Sequence, residues 1–395
     1  MNTVLRTSGK IISSKERLSL LFILDEDRFL VDTIPYTWSV TASGDVDTSN
    51  ENLVSILDCL RRDVQRNDIK LTEKKRNDYL KQLSETGAAA FNKFLPSEAQ
   101  KQIFNFEEMQ AQEQGLSLAF LDIAPSPRSF LWELLYAGDP LKDPDYKQFW
   151  GFRYRLGRTY LGILSYDNFH LLKGVFSAIH DKLAASKDEV KHLEEEIMLL
   201  CNRLNLKGIA VKCIEDCLDS EASSTNSFIQ FLVDDAFEYG IVHFACHCDN
   251  PQNTNIDHAC LSITSHGKEI EISIEKLTGL KGRYRFSYQP FFFLNACESA
   301  TPGHRMHKLN FPTCILNLGA SGVIATACVM PDNFASAFGT EFYRRLLNKP
   351  SLTDSVYVGE ALLETRLHFL NEYNNPLGLA YGLYAAADQQ LLLID

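Results

Sequence analysis

The chain has 395 residues, 45% of them hydrophobic and 23% charged, with a formal net charge of −12. It is long enough for two or three domains with sizeable cores. The acidic balance argues against nucleic acid or an anionic membrane as a general partner, because both favour basic surfaces.

The first strands are expected in LSLLFIL and RFLVDTIPYTW, joined at Asp25-Glu26-Asp27. After TASGDVDTSN, the spacing of Leu53, Ile56, Leu57, Leu60 and Val64 predicts a helix over Asn52 to Arg66. The charge-rich stretch from Arg61 to Lys81 reads as a solvated helix or loop. AAAFNKFLP and EAQKQIF read as two short helices broken by Pro96. From about residue 115 the pattern changes. GLSLAFLDI is a buried-strand signal and SFLWELLYAGD has helical spacing. SKDEVKHLEEEIMLLCNRLNLKG is a clear amphipathic helix, with Val190, Leu193, Ile197 and Leu200 on one face. GIAVKCI is a strand, and SSTNSFIQFLVDDAFEYG a helix capped by Ser or Thr and closed by Gly240.

Then follow IVHFAC, the hairpin ACLSIT–KEIEIS turning at Ser265-His266-Gly267, the helix SIEKLTGL and the strand PFFFLN. A helix from about His307 to Leu318, the strand GVIATAC, helices over Asn333–Leu347 and Thr353–Tyr373, and GLYAAAD complete the chain. Strands alternating with helices predict an α/β sheet, mostly parallel, with helices on both faces. No apolar run approaches the length of a membrane span. MNTVLRTSGKIISSKERLSLLFIL lacks a long apolar stretch ahead of a small-residue cleavage site, so a cytoplasmic setting with reduced thiols is expected.

In open α/β sheets, ligands collect beyond the carboxyl ends of the strands. Two strands here run into reactive residues: IVHFAC into His247, and PFFFLN into Ala296-Cys297-Glu298-Ser299-Ala300. If those strands are neighbours, His247 and Cys297 emerge at one edge as a Cys/His pair. A thiol is a weak nucleophile until an imidazole helps it ionise. The oxyanion formed on attack needs backbone N–H donors, for which Cys248 and Cys297 are the candidates.

At these residues the chain resembles the CHAT-domain family, the caspase-like, separase-related cysteine peptidases. VHFACHCD, FFFLNACESA, GASGVIATACVMPDNFASAFGTEFYRRLL, VGEALLETRLHFL and NPLGLAYGLYAAAD carry the resemblance, preceded by LSLAFLDIAPSPRSFLWELLYAGD and FRYRLGRTY. It covers about residues 115–395. Caspases place their His about 50 residues before the Cys, which is the separation of His247 and Cys297.

The resemblance implies a caspase-like fold. A small N-terminal α+β extension, with a regulatory or partner-binding role, would span residues 1–114, a non-catalytic pseudo-caspase half 115–220, and the catalytic half 221–395. It implies Cys297 as nucleophile, His247 as general base and acid, and His243 as a supporting residue. It also implies a specific protein substrate, for instance a gasdermin-like pore former in bacterial defence or cell death, an activating partner protein, and no cofactor. One position departs from the family: Cys248 stands where glycine usually follows the catalytic histidine, a mismatch if that backbone needs a positive φ. Asp249, Glu298 and Asp332 are candidate substrate-binding carboxylates for a basic residue before the scissile bond. The alternative for Asp332 is a helix-capping role.

Two other readings stand beside the peptidase. Cys248 raises a catalytically impaired scaffold that binds a partner. His243, Cys246, His247, Cys248, His258 and Cys260 are zinc-ligand types. Strand alternation, however, sends 243 and 247 to one face and 246 and 248 to the other, so no metal ligand is assigned.

Overall fold

The computed structural model describes residues 17–25, 28–33, 36–41, 43–95, 97, 100–101, 103–105, 120–124, 130–160, 162–249, 259–296, 299, 310–348, 351 and 355–393. Near the N-terminus, β1 (Arg17–Asp25), β2 (Arg28–Thr33) and β3 (Tyr36–Thr41) form an antiparallel ribbon. Two long helices follow, α1 (Ser43–Arg66) and α2 (Glu73–Phe94). The helix expected from Asn52 therefore begins nearer β3; the stretch read as a solvated helix or loop over Arg61–Lys81 holds the end of α1 and the start of α2, and the short helix expected in AAAFNKFLP is the end of α2. Charges there conceal a buried stripe of Leu80, Leu83, Ala90, Phe91 and Phe94. The start of α2 is fixed by Thr72, whose side chain accepts the Lys75 N–H at 3.3 Å. Its end is set by Pro96, since the residue before a proline disfavours helical backbone, and Leu95 is extended.

β4 (Phe120–Ala124) pairs parallel with β1, and β5 (Arg155–Arg158) with β4. SFLWELLYAGD does not form the expected helix. It makes a single 3-10 turn, Trp132–Leu134, whose three residues are all buried. Residues buried on every side have no solvent face for an amphipathic helix to present.

A larger sheet carries the site. A short strand β6 (Asn168–His170) precedes β7 (Gly174–Ile179), and α3 (Ala184–Leu204) leads to β8 (Ala210–Cys213). Next come α4 (Thr225–Leu232), β9 (Ile241–Asp249), the hairpin β10 (Cys260–Ser265) and β11 (Lys268–Ser273), α5 (Ile274–Leu280) and β12 (Phe291–Ala296). The chain continues with α6 (Phe311–Asn317), β13 (Gly322–Thr326), α7 (Asp332–Leu346), β14 (Val356–Tyr357), α8 (Val358–Tyr373), β15 (Tyr381–Tyr384) and β16 (Gln390–Leu392). β8, β7, β9, β12 and β13 are successive parallel neighbours, with β15 antiparallel beside β13. Beyond the end of β7, β9 pairs instead with β10. The mostly parallel α/β sheet expected from the sequence is present.

Two apolar clusters sandwich this sheet. Leu193, Ile197, Phe338, Phe342 and Leu362 of α3, α7 and α8 pack with Ile241, Phe293 and Ile324. Phe228, Leu277 and Ile315 of α4, α5 and α6 pack with Val242, Phe244, Phe292 and Leu294. α4 stops well short of Gly240, which instead stands directly before β9. A Cβ at Gly240 would lie 1.7 Å from the carbonyl oxygen of His170, so only glycine allows that approach. The hairpin turns at His266 and Gly267, both with positive φ, as a two-residue hairpin turn requires. Pairing crosses both expected boundaries: β1 joins β4 across residue 114, and β7 joins β9 across residue 220. No described helix is long and apolar enough to cross a membrane.

Candidate active site

β9 and β12 are adjacent and parallel, and their register sets Phe293 against His243, Asn295 against Ala245 and Ala296 against Cys246. His247 follows on β9, half-buried. Cys246 and Cys248 are buried in the cluster on the opposite face, so alternation divides the four residues of HFACHC as expected. Cys248 continues β9 opposite Leu261 and is not among the residues with positive φ. The backbone there suits any L-residue, and the mismatch anticipated for cysteine does not arise. Among the described residues, no group of three or more His, Cys, Asp and Glu is arranged to hold a metal ion.

Cys297 and Glu298 lie outside the described residues, as does the side chain of Asp249, whose backbone closes β9. The residues on either side of Cys297 and Glu298 are firmly held. The Ser299 N–H donates to the Ala296 carbonyl at 3.3 Å. Thr326, at the end of β13, donates its N–H to the Ser299 hydroxyl at 3.2 Å and its own hydroxyl to the Ala296 carbonyl at 2.6 Å.

A small pocket opens beside His247, lined also by Ser186, Glu189, Asn295, Met330 and Asp332. Asp332 is the exposed first residue of α7 and Pro331 occupies the cap position, with no side-chain capping bond. The capping role considered for Asp332 is therefore not the one it has. Its carboxylate gains from the helix N-terminus as a charge rather than as a cap.

The pocket floor is polar and buried. Asn295 Nδ2 donates to both carboxyl oxygens of Glu189, at 2.7 and 3.0 Å, and to the Ala335 carbonyl at 2.8 Å. Tyr381 donates its hydroxyl to Asn295 Oδ1 at 2.7 Å. His243 Nδ1 shares a hydrogen bond with the Tyr343 hydroxyl at 3.1 Å, and its Nε2 lies 3.4 Å from Glu189 Oε1. Burial pushes Glu189 well above the usual carboxylate range and His243 down to about 3. Both partners therefore favour their neutral forms, and the 3.4 Å approach is a neutral contact rather than an ion pair. His243 is thus a buried residue of the sheet held between Tyr343 and Glu189.

Residues 175–376 match the CHAT domain, a span of about half the chain that begins on β7. The chain belongs to the CHAT-domain family. No curated protein sequence matches it significantly. Among solved structures this CHAT protein is similar to Saccharomyces cerevisiae separase in its complex with securin. The TM-score is 0.52 and the identity 12%, over 96% of this chain and 30% of that one. A second separase–securin structure gives 0.50 and 11%, over 95% and 30%. Similarity to the complex of Porphyromonas gingivalis RgpB pro- and mature domains has a TM-score of 0.45 and 12% identity, over 80% and 76%. The CHAT protein spans about 30% of the separase chain, and at such identity the likeness is one of fold. The family match and the fold likeness together make the chain a CHAT protein with a separase-like fold.

Several residues at the CHAT site escaped sequence reasoning. His180 follows the apolar strand GVFSAI as His247 follows the apolar run IVHFAC, and that shared pattern was the available signal. Glu189 and Thr326 carried none, because their partners are distant in the chain, and Asn295 and Ser299 lay within the FFFLNACESA motif without a role being assigned to them.

Proposed function

We propose that this CHAT protein is a cysteine endopeptidase that cleaves a specific protein through Cys297 and His247. The observation that carries the reading is the β9–β12 register. Ala296 stands against Cys246, and the next residues of the two chains are Cys297 and His247. Carried one residue further, that register would put thiol and imidazole on the face that holds the pocket.

In the proposed reaction, His247 takes the Cys297 proton and the thiolate attacks the scissile carbonyl carbon. The oxyanion is met by backbone N–H groups at Cys297 and Cys248. The C–N bond breaks as His247 protonates the leaving amine, leaving a thioester. Water, deprotonated by His247, then releases the new carboxyl terminus and the free thiol.

Asp332, with Asp249 and Glu298, would favour a basic residue before the cleaved bond. By the family resemblance, the substrate would be a protein such as a gasdermin-like pore former in bacterial defence, in a cytoplasmic setting. Residues 1–114 would receive an activating partner. The impaired-scaffold reading is weakened by the extended, unstrained backbone at Cys248.

The test is co-expression with candidate substrates encoded beside the gene, followed by mass spectrometry of the fragments. Cleavage is expected with the wild type and absent with Cys297→Ala and His247→Ala. Cleavage that persists in Cys297→Ala overturns the reading.

A further inference from the structure

His180 stands directly after β7, 3% exposed, with its ring centroid 5.0 Å from that of His247 and the planes at 68°. This is the edge-to-face arrangement that aromatic rings prefer. The His180 N–H donates to the Ala245 carbonyl at 3.1 Å, which fixes the His180 backbone two residues before His247. Its Nδ1 accepts the Lys182 N–H at 3.3 Å. That bond places the ring proton on Nε2, which faces the Glu269 carboxylate at 3.8 Å.

Glu269 belongs to β11 and accepts the Ser262 hydroxyl. Ser262 stands opposite His247 in the β9–β10 register. The neighbouring Asp181 N–H donates to Thr264 Oγ1 at 3.3 Å on the same strand as Ser262. The polar face of the β10–β11 hairpin thus meets the end of β7 at His247.

We propose that His180 is a positioning residue for His247, holding that ring through edge-to-face packing and holding its own orientation through the Glu269 carboxylate. The inference rests on the Cys297–His247 reading and deepens it. A general base gains from being held in one orientation toward its proton donor. His180 is suited to hold an imidazole that becomes charged. Burial, and then the neighbouring His247, push its own pKa below the ordinary range, so it stays neutral and does not repel an imidazolium. The other charged groups facing it are Glu269, Lys182 and Asp181. The Ser262 hydrogen bond holds the Glu269 carboxyl below its ordinary range, so the tether is anionic at neutral pH.

The test measures iodoacetamide alkylation of Cys297, followed by peptide mass spectrometry from pH 5 to 9. It compares the full-length wild type with His247→Ala, His180→Ala and Glu269→Gln. In the wild type, reactivity should persist well below the pKa of about 8.5 of an ordinary thiol. His180→Ala should slow alkylation at pH 6 by about tenfold and move the profile toward that of an ordinary thiol. Glu269→Gln, a change at a half-exposed side chain, should act in the same direction by about threefold. It decides the matter if His180→Ala does not fold. A merely structural role would lower the melting temperature and leave the profile in place.

Profiles of the His180 and Glu269 variants that overlay the wild type, while His247→Ala shifts its own, overturn the role of His180 alone. An ordinary thiol profile in the wild type, unchanged in His247→Ala, overturns the Cys297–His247 pair and this inference with it.

Discussion

Thr326 donates its backbone N–H to the Ser299 hydroxyl at 3.2 Å, tying the end of β13 to the residue that follows Cys297-Glu298. Thr326 also donates to Ala296, the residue that precedes them. One residue, through its backbone N–H and its hydroxyl, thus braces both flanks of the proposed nucleophile. Ser299→Ala should leave the Thr326 N–H without its acceptor and destabilise the protein by about 1–3 kcal/mol. Because the flank loosens, cleavage should also slow by about tenfold. Urea midpoints and fragment yield over time check the two effects.

Gly339 on α7 faces Glu189, and a Cβ there would lie 1.9 Å from Glu189 Oε1. Gly339→Ala should therefore displace the carboxyl from Asn295 and destabilise by about 1–3 kcal/mol. Adding Glu189→Ala should make the second change milder than the sum of the two. That coupling is read from urea midpoints of the double-mutant cycle.

The buried His243 makes stability depend on pH. Its folded pKa, about 3, is depressed below the unfolded value of about 6.5. Its contribution is therefore present above about pH 6.5 and lost as pH falls toward 3. Glu189 acts with the opposite sign. Its folded pKa is raised, so its contribution is full below about pH 4.3 and lost as pH rises through the folded value. In a Glu189→Gln background, urea midpoints should fall steadily from pH 7 to pH 4. Adding His243→Gln should flatten that slope.

Glu133 accepts from Arg158 on β5 and lies 3.4 Å from Arg366 on α8. All three side chains are buried. Glu133→Gln removes the carboxylate between two guanidinium groups in the interior. Leaving them unneutralised should destabilise by about 3–5 kcal/mol, measured by chemical denaturation.

Asp332 shares the pocket of His247. On the acidic-pocket reading, Asp332→Lys should lower cleavage after Arg relative to Leu by about tenfold, a change of about 1.4 kcal/mol in transition-state binding. A peptide panel varied only before the scissile bond measures that ratio. Equal cleavage after Leu and Arg by the wild type would remove the acidic pocket.

The strands around the site were legible because each is a short apolar run ended by turn chemistry. IVHFAC, PFFFLN and GVIATAC became β9, β12 and β13, with β9 running on to Asp249 and β13 ending at Thr326, and period-two alternation correctly separated His243 and His247 from Cys246 and Cys248. The stripe of Leu193, Ile197 and Leu200 likewise fixed the inner face of α3. The N-terminal helices were expected but their extents were misjudged because their surfaces are densely charged, and SFLWELL was misread because an apolar run buried on all sides can show helical spacing without forming a helix.

What the sequence determined by itself was local: periodicity, caps, turn residues and the reactive side chains at strand ends. Tertiary structure alone decided which strands are neighbours and in what register, because strand pairing joins residues far apart in the chain. It also decided that burial pushes Glu189 and His243 toward their neutral forms, that Cys248 needs no unusual backbone, and that a second imidazole, His180, stands against His247. Each of these depends on burial and on distances between segments, which local sequence does not encode.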